Sequence, residues 1–155
     1  MKRSLLLSVA LLLLPARFVG AHCEVPCGIF ADQRRFEEML EDQTTIAKAI
    51  TSIEAIAEER SSAANVLGIN QSVRWVTTKE THATNTQHII AQYFMTQRIK
   101  PGSDDYGKQL MAAHAVMVNA MKCKQSADPA TAEALRKSIL DFYRAYEGKE
   151  PQFND

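Results

Sequence analysis

The chain has no block of basic residues, no run in which apolar and polar residues alternate, and only one long, mostly apolar stretch, residues 5–14. Each scarcity closes a class of function. Without a basic block there is no electrostatic footprint for nucleic acid. Without alternation nothing argues for a strand. There are no internal repeats and no low-complexity tracts, so a stacked repeat architecture is not indicated. No G-x-S-x-G, P-loop or H-E-x-x-H motif is present, which removes the usual signatures of a hydrolase elbow, a phosphate cradle and a zinc-binding helix. Cysteine is scarce, with three in 155 residues, and two of them stand four apart near the start at Cys23 and Cys27.

Acidic residues are missing from the first 21 positions, while Lys2 and Arg3 precede the apolar stretch and Val19-Gly20-Ala21 follows it. Charged start, apolar middle and small-residue end are the three parts of a secretory leader, cut after Ala21. As a helix the apolar stretch would span only about 15 Å, half of a bilayer core, so it reads as a leader and not as a membrane anchor. Removing residues 1–21 takes away Lys2, Arg3 and Arg17, leaving 15 basic against 18 acidic residues, a formal charge of −3 over 134 residues. That is one domain's worth of chain, large enough to bury a core. The leader implies export to a periplasmic or extracellular location, although a cytoplasmic or organellar one stays open.

What is there begins at His22-Cys23-Glu24-Val25-Pro26-Cys27-Gly28-Ile29-Phe30. Cleavage after Ala21 would free the α-amine of His22 beside an imidazole and a thiol. The α-amine and the Cys23 amide nitrogen close one five-membered chelate ring, and that amide and the Cys23 thiolate close a second. Cys27 can return its thiolate to the fourth corner if the chain hooks back. Pro26 restricts the path and Gly28 permits the left-handed backbone at its exit. The result is an N2S2 plane with the His22 imidazole free to approach axially, which suits square-planar Ni(II) or Cu(II) better than tetrahedral zinc. Two cysteines four apart in an exported protein also fit a plain disulfide.

This His-Cys-x-x-Pro-Cys-Gly-x-aromatic stretch resembles the metal-binding hook of nickel-containing superoxide dismutases. Lys79-Glu80, Tyr93-Phe94 and Asp128-Pro129-Ala130-Thr131 extend the likeness along the chain. The resemblance implies a nickel ion held by His22, Cys23 and Cys27, superoxide as substrate, cycling between Ni(III) and Ni(II), and a homohexamer. It also implies that Glu38 hydrogen-bonds the axial imidazole. In those enzymes an arginine of the second helix completes the pair; here His82 stands at that position, with Arg74 the nearest arginine in sequence. Phe30 replaces the usual tyrosine, keeping the wall beside the metal and losing its hydroxyl, and Glu24 replaces an aspartate with charge kept. The source of the protons stays open. Two alternatives to an enzyme are an exported nickel or copper binder without turnover and a disulfide-closed helical interaction module.

After the hook the chain reads as all-α, an antiparallel four-helix bundle over residues 31–148 with a loose tail at 149–155. Residues 32–60 carry Phe36, Met39, Leu40, Gln43, Ile46, Ile50, Ile53 and Ala57 at helical spacing, with Glu37, Glu38, Glu41 and Asp42 loading the first turns. A second helix over residues 63–99 places Val66, Ile69, Val73, Val76, His88 or Ile89, Tyr93 and Ile99 near its seam, ending at Lys100-Pro101-Gly102-Ser103. A third, over residues 104–124, uses Tyr106, Leu110, Ala113, Met117 and Met121. Asp128-Pro129 caps a fourth whose stripe is Leu135, Ile139, Phe142 and Tyr146, stopping at Gly148. His114 is expected in the core or an interface, and Cys123 as a buried free thiol. His82 and His88, six residues apart, do not share a helix face.

Overall fold

The computed structural model describes residues 32–58 and 66–153. Among them are four helices and no strand. Helix α1 spans Gln33–Glu58, α2 spans Val66–His88 and runs on as a π-helical segment Ile89–Arg98, α3 spans Tyr106–Gln125, and α4 spans Pro129–Glu147. Each helix packs on its sequence neighbours, and α1 closes the ring against α4. Side-chain pairs set the direction. Asp32 meets Arg98 while Asp42 meets His82, so α1 and α2 run oppositely. Gln43 reaches the Ala132 carbonyl while Gln33 meets Tyr143, so α1 and α4 do too. The bundle is antiparallel.

The helix boundaries have local causes. The Asp128 carboxylate accepts from the Ala130 amide at 2.9 Å, with Pro129 at the first helical position where no amide donor is needed. Gly148 ends α4 at φ 69°, a left-handed conformation that a β-carbon would strain, and its amide bonds the Arg144 carbonyl. Gly102, at φ 85°, makes the turn between the π segment and α3. The first turn of α1 holds no acid; Glu37 and Glu38 stand in its second turn.

The core is densest at the end of the bundle where α1 begins. Phe36, Phe94 and Phe142 stack with centroids 4.9–5.3 Å apart, and Tyr93, Tyr143 and Tyr146 close around them. The stripes expected of α1 and α4 are buried, except that Ile53 and Tyr146 are half-buried and Ala57 is exposed. Residues 149–153, expected as a loose tail, instead fold back: Phe153 packs on Tyr143 at 5.0 Å and Glu150 pairs with Arg144 at 2.8 Å.

Two expectations about the seams are corrected. In α3 the buried positions are Ala113, Val116, Ala120 and Cys123, while Met121 is largely exposed and Tyr106, Leu110 and Met117 sit at the margin. His114 is exposed and not in the core. Small side chains face inward because the helices opposite supply the large aromatic ones. In α2, Val66, Ile69, Val73 and Val76 are 42–76 % exposed. The reason is length. Buried Lys79 donates from Nζ to the carbonyls of Cys123 and Lys124, which places it level with the end of α3. The thirteen residues of α2 before Lys79 therefore rise about 20 Å beyond α3 and α4, at 1.5 Å per residue. Among the described residues they face the upper half of α1, and two helices can cover only one face of each other.

Candidate metal centre

Residues 22–30 lie outside the described residues, so His22, Cys23, Pro26, Cys27 and Phe30 are known here by their sequence alone. The same holds for the leader, residues 1–21. Among the described residues no group of three or more histidine, cysteine or carboxylate side chains is arranged to hold a metal ion. What the structure does describe is the polar surface at which the segment joins the bundle.

Asp32 is the first described residue, and it is 8 % exposed. Its carboxylate accepts from three tyrosine and arginine side chains. The Tyr93 hydroxyl donates to Oδ1, while Arg98 donates to Oδ2 from Nε at 3.0 Å and Nη2 at 2.7 Å, and the Tyr146 hydroxyl donates to Oδ2 at 2.6 Å. Burial alone would push this carboxyl up, but the hydrogen bonds and the Arg98 charge outweigh it and hold Asp32 below the usual carboxylate range. Arg98 and Tyr146 are correspondingly raised, Arg98 by its bond to Asp32 and Tyr146 by burial first and Asp32 second.

The π-helical stretch makes this convergence possible. Within it the Ile99 amide bonds the Phe94 carbonyl at 2.8 Å, and Thr96 and Gln97 side chains bond carbonyls five residues back. In an α-helix, positions 93 and 98 would point about 140° apart, at roughly 100° per residue. The wider turn brings both to Asp32. Such wide turns recur at functional sites.

One turn along α1 from Asp32 a second cluster forms. The Arg35 guanidinium, 5.0 Å from the Tyr93 ring centroid, donates to Glu38 Oε2 at 2.8 Å. Asn85 of α2 donates to Glu38 Oε1 at 3.3 Å and to Asp42 Oδ2 at 2.9 Å. Thr86 adds a third donor to Asp42, and His82 Nδ1 lies 2.6 Å from Asp42 Oδ1. Burial pushes the Asp42 carboxyl up, and the bonds from His82, Asn85 and Thr86 only partly offset this. The side chain expected in place of the second-helix arginine, His82, is thus turned to Asp42. Arg74 is exposed on the rising part of α2, eleven residues before Asn85. Arg35 and Asn85 are the groups that hold Glu38, and sequence reasoning missed both. Arg35 was readable as an i, i+3 partner of Glu38 on a helix. Asn85 carried no signal.

A small all-helical bundle, with buried carboxylates and tyrosines gathered where α1 begins and with one histidine and two cysteines in the sequence just before it, is the setting in which the class of the protein is read. The family model described as nickel-containing superoxide dismutase matches residues 17–150, and the chain belongs to that family. No curated protein sequence and no solved structure matches the chain. The protein is therefore an oxidoreductase that dismutes superoxide with a nickel cofactor.

Proposed function

We propose that removal of residues 1–21 leaves His22 as the first residue, and that nickel is held by the His22 amine, the Cys23 amide nitrogen and the thiolates of Cys23 and Cys27, with the His22 imidazole as an axial ligand. The donor set fits the ion: two thiolates and two nitrogens in a plane match its square-planar preference. When bound, nickel supplies a centre that takes an electron from one superoxide and gives one to the next, through Ni(III) and Ni(II). Overall two superoxide ions and two protons give one dioxygen and one hydrogen peroxide. Pro26 and Gly28 would shape the return of the Cys27 thiolate to the ion, and Phe30 would supply an apolar side chain beside it without a hydroxyl.

Glu38 is proposed to accept from the second ring nitrogen of His22. The observation that carries this is its mounting: Arg35 takes one carboxylate oxygen and Asn85 the other, and the side chain remains 38 % exposed. Each oxygen keeps a lone pair for an imidazole donor. A carboxylate partner fixes the tautomer and orientation of a ligating histidine and raises its basicity. N-terminal sequencing of the purified protein with metal analysis tests the whole assignment. A chain starting at His22 with one nickel per chain is expected. In that protein Cys23→Ser and Cys27→Ser should each abolish nickel binding and dismutation, and full activity in either would rule out thiolate ligation.

Export is proposed from the leader, and association of copies from the surface of α2. Val66, Ile69, Val73 and Val76 recur at spacings of three, four and three, the pattern of a helix–helix seam, and nothing among the described residues covers them. A second copy of the chain offers the same stripe, and the resemblance to the family implies a hexamer.

A further inference from the structure

We infer that Asp32 is a positioning residue for the nickel centre, clamping the chain to the bundle directly after the metal-binding segment. The inference rests on the reading of residues 22–30 given above. One residue separates Asp32 from Phe30 and four separate it from Cys27. Covalent geometry alone then limits the Cα atoms of Cys27 and Asp32 to about 18 Å apart, at roughly 3.6 Å per residue. Wherever Asp32 is fixed, the reach of the last thiolate is bounded with it.

An aspartate at the start of a helix ordinarily turns its carboxylate onto the first amides of its own helix. Asp32 does something different. Its main-chain carbonyl opens α1, accepting from the amides of Arg35 at 2.9 Å and Phe36 at 3.4 Å. Its carboxylate is turned away to other elements, to Tyr93 and Arg98 on the π-helical segment and to Tyr146 on α4. Two elements that are distant in sequence converge on the one residue, and the π turn is what lets two of its three donors reach it. The aromatic cluster of Phe36, Phe94 and Phe142 backs those donors, with Phe94 against both Tyr93 and Tyr146, so the clamp stands on the buried aromatic core. Both oxygens are occupied by donors and the carboxyl is held ionised, so Asp32 has no proton to deliver at neutral pH. Its role is to hold.

The test uses the mature protein beginning at His22, with Asp32→Asn, Asp32→Glu and the pair Tyr93→Phe/Tyr146→Phe. Nickel affinity is measured by calorimetry on the nickel-free protein. Cleavage within residues 22–31 by a nonspecific protease is timed on the same material, and the unfolding midpoint is recorded for each variant. Asp32→Asn is expected to bind nickel about tenfold more weakly and to be cut about tenfold faster, the scale of one lost ionic hydrogen-bond set. The Asp32→Glu protein should regain most of both, and the Tyr pair should fall between, each with a folded bundle. Should all three variants keep wild-type nickel affinity and cleavage rate while only the unfolding midpoint falls, Asp32 is a stability residue and the inference is overturned. Failure of the wild-type terminus to bind nickel would instead overturn the ligand assignment, and the cleavage comparison would still decide the clamp.

Discussion

Two buried aspartates on α1 respond to acid in opposite senses, and the difference lies in their donors. Asp32 has a cation and two hydroxyls, and its folded value lies below the 3.8 of the unfolded chain. It therefore adds stability that is present above pH 3.8 and is lost as pH falls through the lower folded value. Asp42 lies above 3.8 because burial outweighs its hydrogen bonds, so its ionised form opposes folding and protonation relieves the cost. Stability from Asp42 is expected to rise as pH falls through its folded value towards 3.8, and to level off below that. Urea unfolding from pH 6 to pH 2.5 would separate them: Asp32→Asn should flatten the loss at the acid end, and Asp42→Asn the gain above it. Both slopes surviving in both variants would show that other groups govern the acid limb. At the same scale Phe94→Ala should cost about 3–5 kcal/mol in urea unfolding, since the ring is fully buried and touches Phe36, Phe142 and two tyrosines.

At the scale of the elements, what could be read in advance follows from how local the cause is. Asp128-Pro129, Gly148 and the turn at Lys100-Pro101-Gly102-Ser103 act through their own backbones, and each stands where the sequence places it. Asp128→Ala should accordingly cost about 1 kcal/mol, the worth of an N-cap, with the loss seen in thermal unfolding. The π-helical segment was not legible, because carbonyl-to-amide bonds five residues apart leave no periodic mark in a ten-residue run. The α3 seam was misread for another reason. Hydrophobic size points to Met117 and Met121, whereas the buried positions are the smaller Ala113, Val116, Ala120 and Cys123. For the site, the proposed donors of residues 22–27 come from the sequence alone, since amine, amide and thiolate donors need only sequence proximity. Their support was not legible there. Asp32, Arg98 and Tyr146 are 66 and 114 residues apart along the chain at most, and only folding brings them together.

For the whole molecule the unequal helix lengths matter most. The α1–α2 pair outruns α3–α4, so the apolar stripe of α2 is left uncovered among the described residues. The same periodicity describes a stripe that faces its own bundle and one that faces a neighbour, so sequence alone could not tell them apart. Burying a Val or Ile side chain is worth about 1.5–3 kcal/mol, which gives four such residues per chain enough to drive association if the stripes meet. Ile69→Glu/Val73→Glu puts two charges into that seam. Both positions are more than 60 % exposed in the single chain, so the substitution should leave helix content and the unfolding midpoint of the isolated subunit nearly unchanged. Light scattering behind size exclusion is expected to find the wild-type protein as a multi-subunit assembly and the double variant as a monomer. An assembly of unchanged mass in the variant would move the subunit contact away from α2. A variant that is monomeric yet still binds nickel at full stoichiometry would place the ligand set within one chain, as the spacing of His22, Cys23 and Cys27 requires.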